Sequence, residues 1–196
     1  MRHDLALIKP WIKENARVLD LGCGDGTLLA ALRDERKVFG VGLEIDHDNI
    51  NKALSLGVNV IEHDLNTGLA NFQDNSFDVV VMTMALQTLR YPHLVIDEML
   101  RVGQECVVTF PNFGYWRSRW HLGIKGQMPV SKFLPYTWYD TPNIHFCTVK
   151  DFQQLCQDKG IQILSSSFVD ANNRQSELCS RFPNLLGITA VYHISK

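Results

Sequence analysis

The order of apolar and turn-forming segments predicts a three-layer α/β sandwich: a mostly parallel seven-stranded sheet, helices on both faces, and a C-terminal antiparallel strand. Three observations carry this. Short apolar runs alternate with helical periodicity from Arg17 onward, the pattern of parallel crossover units. Phe77-Asp78-Val79-Val80-Val81-Met82 is nearly continuous in apolar character, as a strand covered on both faces requires. Two strand-like stretches, 161–169 and 186–194, follow one another with no helical pattern between them, so the sheet should close on an antiparallel hairpin.

Taken in order, residues 17–21 read as the first strand. Gly22 to Gly26 make a tight turn into a helix whose apolar positions Leu28, Leu29 and Leu32 have helical spacing. Residues 37–43 read as strand two, a helix follows around 49–55 and ends at Gly57, and 58–61 form strand three. After strand four, Pro92 suits the first turn of a helix with the stripe Val95, Ile96, Met99 and Leu100, stopped by Gly103. Strand five, 106–110, ends at Pro111-Asn112. Thr148 with Asp151 three residues on predicts a capping box before a helix carrying Phe152, Leu155 and Cys156 and closed by Gly160. The stretch from Pro111 to Cys147 has no period and is rich in Trp, Tyr, Pro and Gly. A loop that long within one domain spanning residues 1–196 reads as an inserted lid or partner-binding segment.

Composition narrows the function. With 45% apolar and 20% charged residues and a net charge of −2, the chain has ordinary globular composition and no overall field for steering polyanions. The five cysteines are odd in number, widely spaced and never arranged as C-x-x-C, which fits neither a disulfide framework nor a zinc site, so no metal is expected. Met1-Arg2-His3-Asp4 leads into a polar-studded stretch without a signal-peptide core, and no run approaches membrane-spanning length; the expectation is a cytoplasmic protein.

The turn after strand one carries the chemistry. Glycines at 22, 24 and 26 remove the β-carbons that would keep a ligand from bare backbone, but Thr27 stands where a dinucleotide fingerprint needs its third glycine. Asp20, ahead of the glycines, would repel a phosphate and suit an ammonium or sulfonium ligand; S-adenosylmethionine carries both. Glu44 ends strand two, where such sheets place a carboxylate that accepts from ribose hydroxyls. Asp64 after strand three could accept from the adenine amino group. With Cys23, Ile45, Leu65 and Thr83 beside them, these residues would converge on one crevice at the carboxyl ends of the strands, binding S-adenosylmethionine, with S-adenosylhomocysteine as product or inhibitor. The side chain of Cys23 itself reads as a packing group, since no histidine is identifiably its base.

Val18-Leu19-Asp20-Leu21-Gly22-Cys23-Gly24-Asp25-Gly26, Gly42-Leu43-Glu44-Ile45-Asp46 and Phe77-Asp78-Val79-Val80 resemble the leading motifs of the Rossmann-like class I methyltransferases. More narrowly, Met128-Pro129-Val130 and Leu134-Pro135-Tyr136-Thr137-Trp138-Tyr139-Asp140-Thr141-Pro142-Asn143-Ile144-His145 resemble the MetW family of methionine-biosynthesis proteins, a resemblance that covers essentially the whole chain. It implies a role beside the homoserine O-acyltransferase (MetX type), with the nucleotide as a pathway signal. The alternative is a methyltransferase acting on a small-molecule substrate. Many small-molecule methyltransferases of this fold carry a Glu-His pair after strand four, where Gln87 and Thr88 stand here, so an expected base is missing.

Tyr139, Asp140, Asn143 and His145 supply the remaining polar candidates. Asp140 and His145 could orient or activate a substrate hydroxyl; equally, Asp140 could cap a turn and His145 be a satisfied hydrogen-bonding residue in a lid or partner surface. Trp116-Arg117-Ser118-Arg119-Trp120, with Lys125 and Lys132 nearby, could stack nucleic-acid bases, but the composition is equally that of a protein–protein hot spot and no phosphate-binding stripe accompanies it. Neither an N-P-P-Y sequence after strand four nor a P-C dipeptide is present, which removes the amino-directed and cytosine-attacking nucleic-acid methylases.

Overall fold

The computed structural model describes residues 3–131, 134–170 and 174–196, with the backbone alone for 3–5; Met1-Arg2 and Lys132 lie outside the described residues. A seven-stranded sheet runs through it in the order β3-β2-β1-β4-β5-β7-β6. β1 (Arg17–Leu21), β2 (Phe39–Glu44), β3 (Asn59–Glu62), β4 (Phe77–Thr83) and β5 (Gly103–Pro111) are mutually parallel. β7 (Thr189–Ser195) enters between β5 and β6 (Gln162–Val169), antiparallel to both. The expected fold is therefore present, including the terminal antiparallel pair.

Alternation along the strands supplies the two cores. On one face Leu19, Leu21, Met82, Val108 and Phe110 pack with Val95, Ile96 and Met99 of α4 (Pro92–Val102) and Phe152 and Cys156 of α6 (Val149–Lys159). On the other, Val18, Val79, Val81 and Val107 pack with α1 (His3–Ile8) through Ile8, with α2 (Thr27–Arg36) through Leu28, Leu29 and Leu32, and with α3 (His47–Ser55) through Ala53. Covering both faces is what lets β4 and β5 be so uniformly apolar.

Local chemistry sets the boundaries. Thr148 and Asp151 form the expected capping box at the start of α6, and Gly160 closes it in the left-handed region at φ 65°. β2 begins at Phe39 rather than at Lys37, because Lys37 is the left-handed cap that ends α2. α3 begins earlier than expected, since the Asp46 carboxylate accepts from the Asn49 amide and caps it. Two expectations need correction. A ten-residue helix, α5 (Trp116–Lys125), lies in the stretch read as having no sequence period: none of its residues is buried, and its apolar positions 116, 120 and 124 make a row only one residue wide. The β6–β7 connection contains two short helices, α7 (Glu177–Arg181) and α8 (Pro183–Leu186), and Leu186 belongs to the second of these rather than to β7. Ser176 caps α7 and Pro183 opens α8, in segments too short to show helical spacing.

Candidate functional site

The strand order reverses between β1 and β4, and open sheets bind ligands at the carboxyl ends of the strands beside such a switch point. The glycine turn lies there. Gly22, Gly24 and Gly26 have φ of 70°, 56° and 76°, and the Gly22 and Cys23 amides donate to the Leu43 carbonyl at 2.8 and 3.0 Å, lashing the turn to the end of β2.

The three glycines serve different ends. A β-carbon on Gly26 would meet Ala53 Cβ at 2.9 Å, and one on Gly22 would meet Ala85 Cβ at 3.2 Å, so both positions are close packing contacts. On Gly24 it would meet nothing within 4 Å, so that residue lines open space. Cys23 points the other way: its Sγ would lie 2.4 Å from a β-carbon on Gly42, so the side chain packs down onto β2 while its backbone lines the turn. Burial first, then the Asp20 and Glu44 carboxylates, push this thiol up to about 12, which makes it unreactive as a nucleophile.

Glu44 organises the opposite wall. Oε2 accepts from the Gly24 amide at 2.8 Å, and Oε1 accepts from the Ile45 and Asp46 amides at 2.8 and 3.0 Å. Three of the roughly four acceptor positions of a carboxylate are used, so capacity remains for a ligand hydroxyl. Asp20, only 1% exposed, stands one strand over, paired in register with Gly42 and Val81. The Asp64 Oδ1 accepts from the Asn66 amide and side chain, both at 2.9 Å, capping the turn Leu65–Thr67; its other oxygen takes no part in that cap. Ile45 is 57% exposed next to Glu44 while Leu65 is buried, and Thr83 ends β4. The residues expected to converge thus sit on adjoining strand ends and turns.

The second group does not form one cluster. Tyr139 is exposed and packs edge-on against Trp138 at 5.6 Å. The Asp140 Oδ1 accepts from the Thr137 hydroxyl at 2.7 Å, whereas the His145 Nε2 lies 3.3 Å from the Arg90 carbonyl. Each side chain is bonded to a different group rather than to the other.

Three features were not legible as site elements. Met84, just past β4, holds a left-handed backbone at φ 58° that few non-glycine residues adopt, with its amide donating to the Thr109 carbonyl and hydroxyl at 2.9 and 3.0 Å. Gln87, 4% exposed, donates from Nε2 to the Met84 carbonyl, and its own carbonyl accepts from the Ile144 and His145 amides at 2.9 and 3.1 Å. Asn112, also 4% exposed, accepts from the Gly114 and Val149 amides and donates to the Pro183, Asn184 and Gly187 carbonyls. In the sequence that last hub showed only as the Pro111-Asn112 pair that ends strand five. Beside it, at the end of β5, a cavity of about 330 Å³ is lined by Pro111, Tyr115, Arg117, Ser118, His121 and Leu134 among others.

This sheet order and the strand-end site define the class I S-adenosylmethionine-dependent methyltransferase fold. A methyltransferase of that kind from Mesorhizobium loti superposes with a TM-score of 0.73 at 15% identity, covering 100% of this chain and 98% of that one. Another, from Thermotoga maritima, gives 0.70 at 17% identity over 99% and 87%. Within that fold the chain belongs to the methionine biosynthesis protein MetW family, whose pattern it matches over residues 2–194. It is also 35% identical over 189 residues to the bifunctional methionine biosynthesis protein MetXA/MetW of Rhodopirellula baltica, covering 92% of this chain but 30% of that longer protein.

Proposed function

We propose that the crevice binds S-adenosylmethionine and that the chain acts with, or regulates, the homoserine O-acyltransferase (MetX type) of methionine biosynthesis, in the cytoplasm. The observation that carries the ligand is the open space at Gly24 facing Glu44, whose carboxylate is held by three amides with acceptor capacity to spare. In this reading the backbone from Gly22 to Gly26 and Asp20 take the amino-acid end, Glu44 the ribose through a hydroxyl and Asp64 the adenine amino group. Ile45 and Leu65 flank the ring and Thr83 borders the sulfonium. When bound, the nucleotide supplies an electrophilic methyl group on sulfur. Support for the partner comes from the fused relative, in which a MetXA portion and a MetW portion share one chain.

The separate engagement of Asp140 and His145 favours a sensing role over a general-base pair. The residue range 111–147 then serves as the partner-binding insertion. A second reading, methyl transfer to a small molecule, is favoured by the left-handed Met84 after β4, since non-glycine backbone in that region concentrates at active sites. Calorimetric titration with S-adenosylmethionine and S-adenosylhomocysteine tests the ligand, and acyltransferase rates with and without this chain test the role. Binding of neither nucleotide refutes the first part; an acyltransferase rate indifferent to the chain refutes the second. Formation of S-adenosylhomocysteine on incubation with cell extract would favour methyl transfer.

A further inference from the structure

Helix α5 carries Trp116, Trp120, Leu122 and Ile124, yet not one of its ten residues is buried. Helices this short are marginal in water and owe most of their stability to a packed face. Arg119 tethers α5 instead, donating to the Gly114 and Asn184 carbonyls. Trp116, Trp120 and Ile124 recur every fourth residue and so form one stripe, 41%, 66% and 67% exposed.

The stripe continues beyond the helix. The adjoining face of α5, with Tyr115, Arg117, Ser118 and His121, lines the 330 Å³ cavity. A smaller hollow bounded by Tyr136, Trp138 and Phe146 shares Pro129 and Leu134 with that cavity, so α5 and the arm around residues 134–146 adjoin. On the arm, Trp138 and Tyr139 are about three-quarters exposed, and the Arg117 guanidinium lies 5.3 Å from the Trp116 ring. Exposed Trp, Tyr and Arg side chains beside a pocket are the composition of binding hot spots.

Charge says what kind of surface fits. From Cys106 to Tyr139 the sequence contains no Asp or Glu, and the described part of the face carries Arg117, Arg119 and Lys125, in a chain whose net charge is −2. This face is therefore positive against an acidic background, and the complementary surface is acidic. The fused relative, in which the two portions are tethered and meet at high effective concentration, supplies the occupant.

We propose that the homoserine O-acyltransferase docks on this face, covering Trp116, Trp120, Ile124, Trp138 and Tyr139, and seats an acidic side chain in the cavity beside Arg117 and His121. The proposal rests on the functional reading above and deepens it by naming the surface. It also supplies a route to the crevice: the arm hangs on the Gln87 carbonyl through the Ile144 and His145 amides, in the same loop whose Ala85 meets the glycine turn at Gly22.

The test is calorimetric titration of the purified full chain with the acyltransferase of the same organism, with and without S-adenosylmethionine. The variants are W120E, W138E and R117E, with F39E as control. Phe39 is 68% exposed at the opposite end of the sheet. All four are exposed positions, and circular dichroism confirms that each variant folds. The expectation is roughly tenfold to hundredfold weaker binding for each of the three variants, none for F39E, and weakening of the wild-type complex with added salt. Unchanged affinity in the W120E/W138E double variant overturns this proposal alone; absence of any wild-type complex overturns the functional reading with it.

Discussion

Replacing Glu44 by Gln tests the organisation of the crevice most directly, because it removes one charge and exchanges one acceptor for a donor at nearly constant volume. In the native arrangement Oε2 receives the Gly24 amide and Oε1 receives those of Ile45 and Asp46. A glutamine has one acceptor oxygen. If it faces Ile45 and Asp46, its NH₂ group points at the Gly24 N–H; if it is turned over, two amides lose their acceptor. Hydrogen bonds to charged groups contribute about 1.5–3 kcal/mol, and water reaches this half-buried side chain, so a loss of about 2 kcal/mol is expected. For a chain of this size that lowers Tm by roughly 4–8 °C. The acceptor for the ribose and the position of the Gly24 amide are lost together, so S-adenosylmethionine should bind roughly 10- to 100-fold more weakly. S-adenosylhomocysteine should weaken equally, since the two ligands share the ribose. Thermal melts and calorimetry of Glu44→Gln measure both effects. A variant with wild-type Tm and wild-type affinity would refute the reasoning, and a loss confined to S-adenosylmethionine would relocate Glu44 to the sulfonium.

Three further outcomes follow from the geometry. Gly24→Ala points its methyl into open space at φ 56°, so it should lower stability by only about 1 kcal/mol while blocking the nucleotide; Gly26→Ala, driven against the Ala53 backbone at 3.1 Å, should lose about 3 kcal/mol in urea unfolding. Asn112→Ala strands two amides and three carbonyls, and a loss of about 3 kcal/mol, seen as a Tm lower by roughly 6–12 °C, is expected. The Cys23 and Cys147 thiols, each pushed up to about 12 chiefly by burial, favour the neutral form when folded, so their contribution to stability is intact below the unfolded value of 9.0 and is lost as pH rises from there through the folded value. At pH 8 they should react with a thiolate-selective reagent roughly a thousandfold more slowly in the native protein than in urea, and native reactivity equal to the unfolded would contradict their burial.

Much of this was legible in the chain. The apolar run from Phe77 to Met82, the punctuation by Gly57 and Gly160 and the Thr148–Asp151 box are local signals, written by sterics and hydrogen bonding within a few residues, and the strands and helices they announce are present. Glu44 and Asp64 could be placed at strand ends because a parallel crossover sheet brings successive strand termini to one edge. α5 was illegible because a helix that buries nothing needs no broad apolar face, and Trp116, Trp120 and Ile124 make only a single row among polar residues; α7 and α8 were illegible because five and four residues are too few for a period. The distinct duties of Gly22, Gly24 and Gly26 were equally hidden, since the motif shows three missing side chains but not which neighbour each would have struck.

What the sequence by itself determined, then, is the class of fold, the glycine turn with its attendant carboxylates and the membership of the MetW family. Local propensity and periodicity are properties of neighbouring residues. What only the tertiary structure decided is how distant residues are spent: Glu44 taking the Gly24 amide across the turn, Asn112 tying β5 to α6 and α8, Gln87 carrying the arm, and His145 set against the Arg90 carbonyl instead of Asp140. The physical reason is that each assignment depends on which donor or acceptor the folded chain brings within about 3 Å, and hydrogen-bond partners far apart in sequence leave no periodic trace in it.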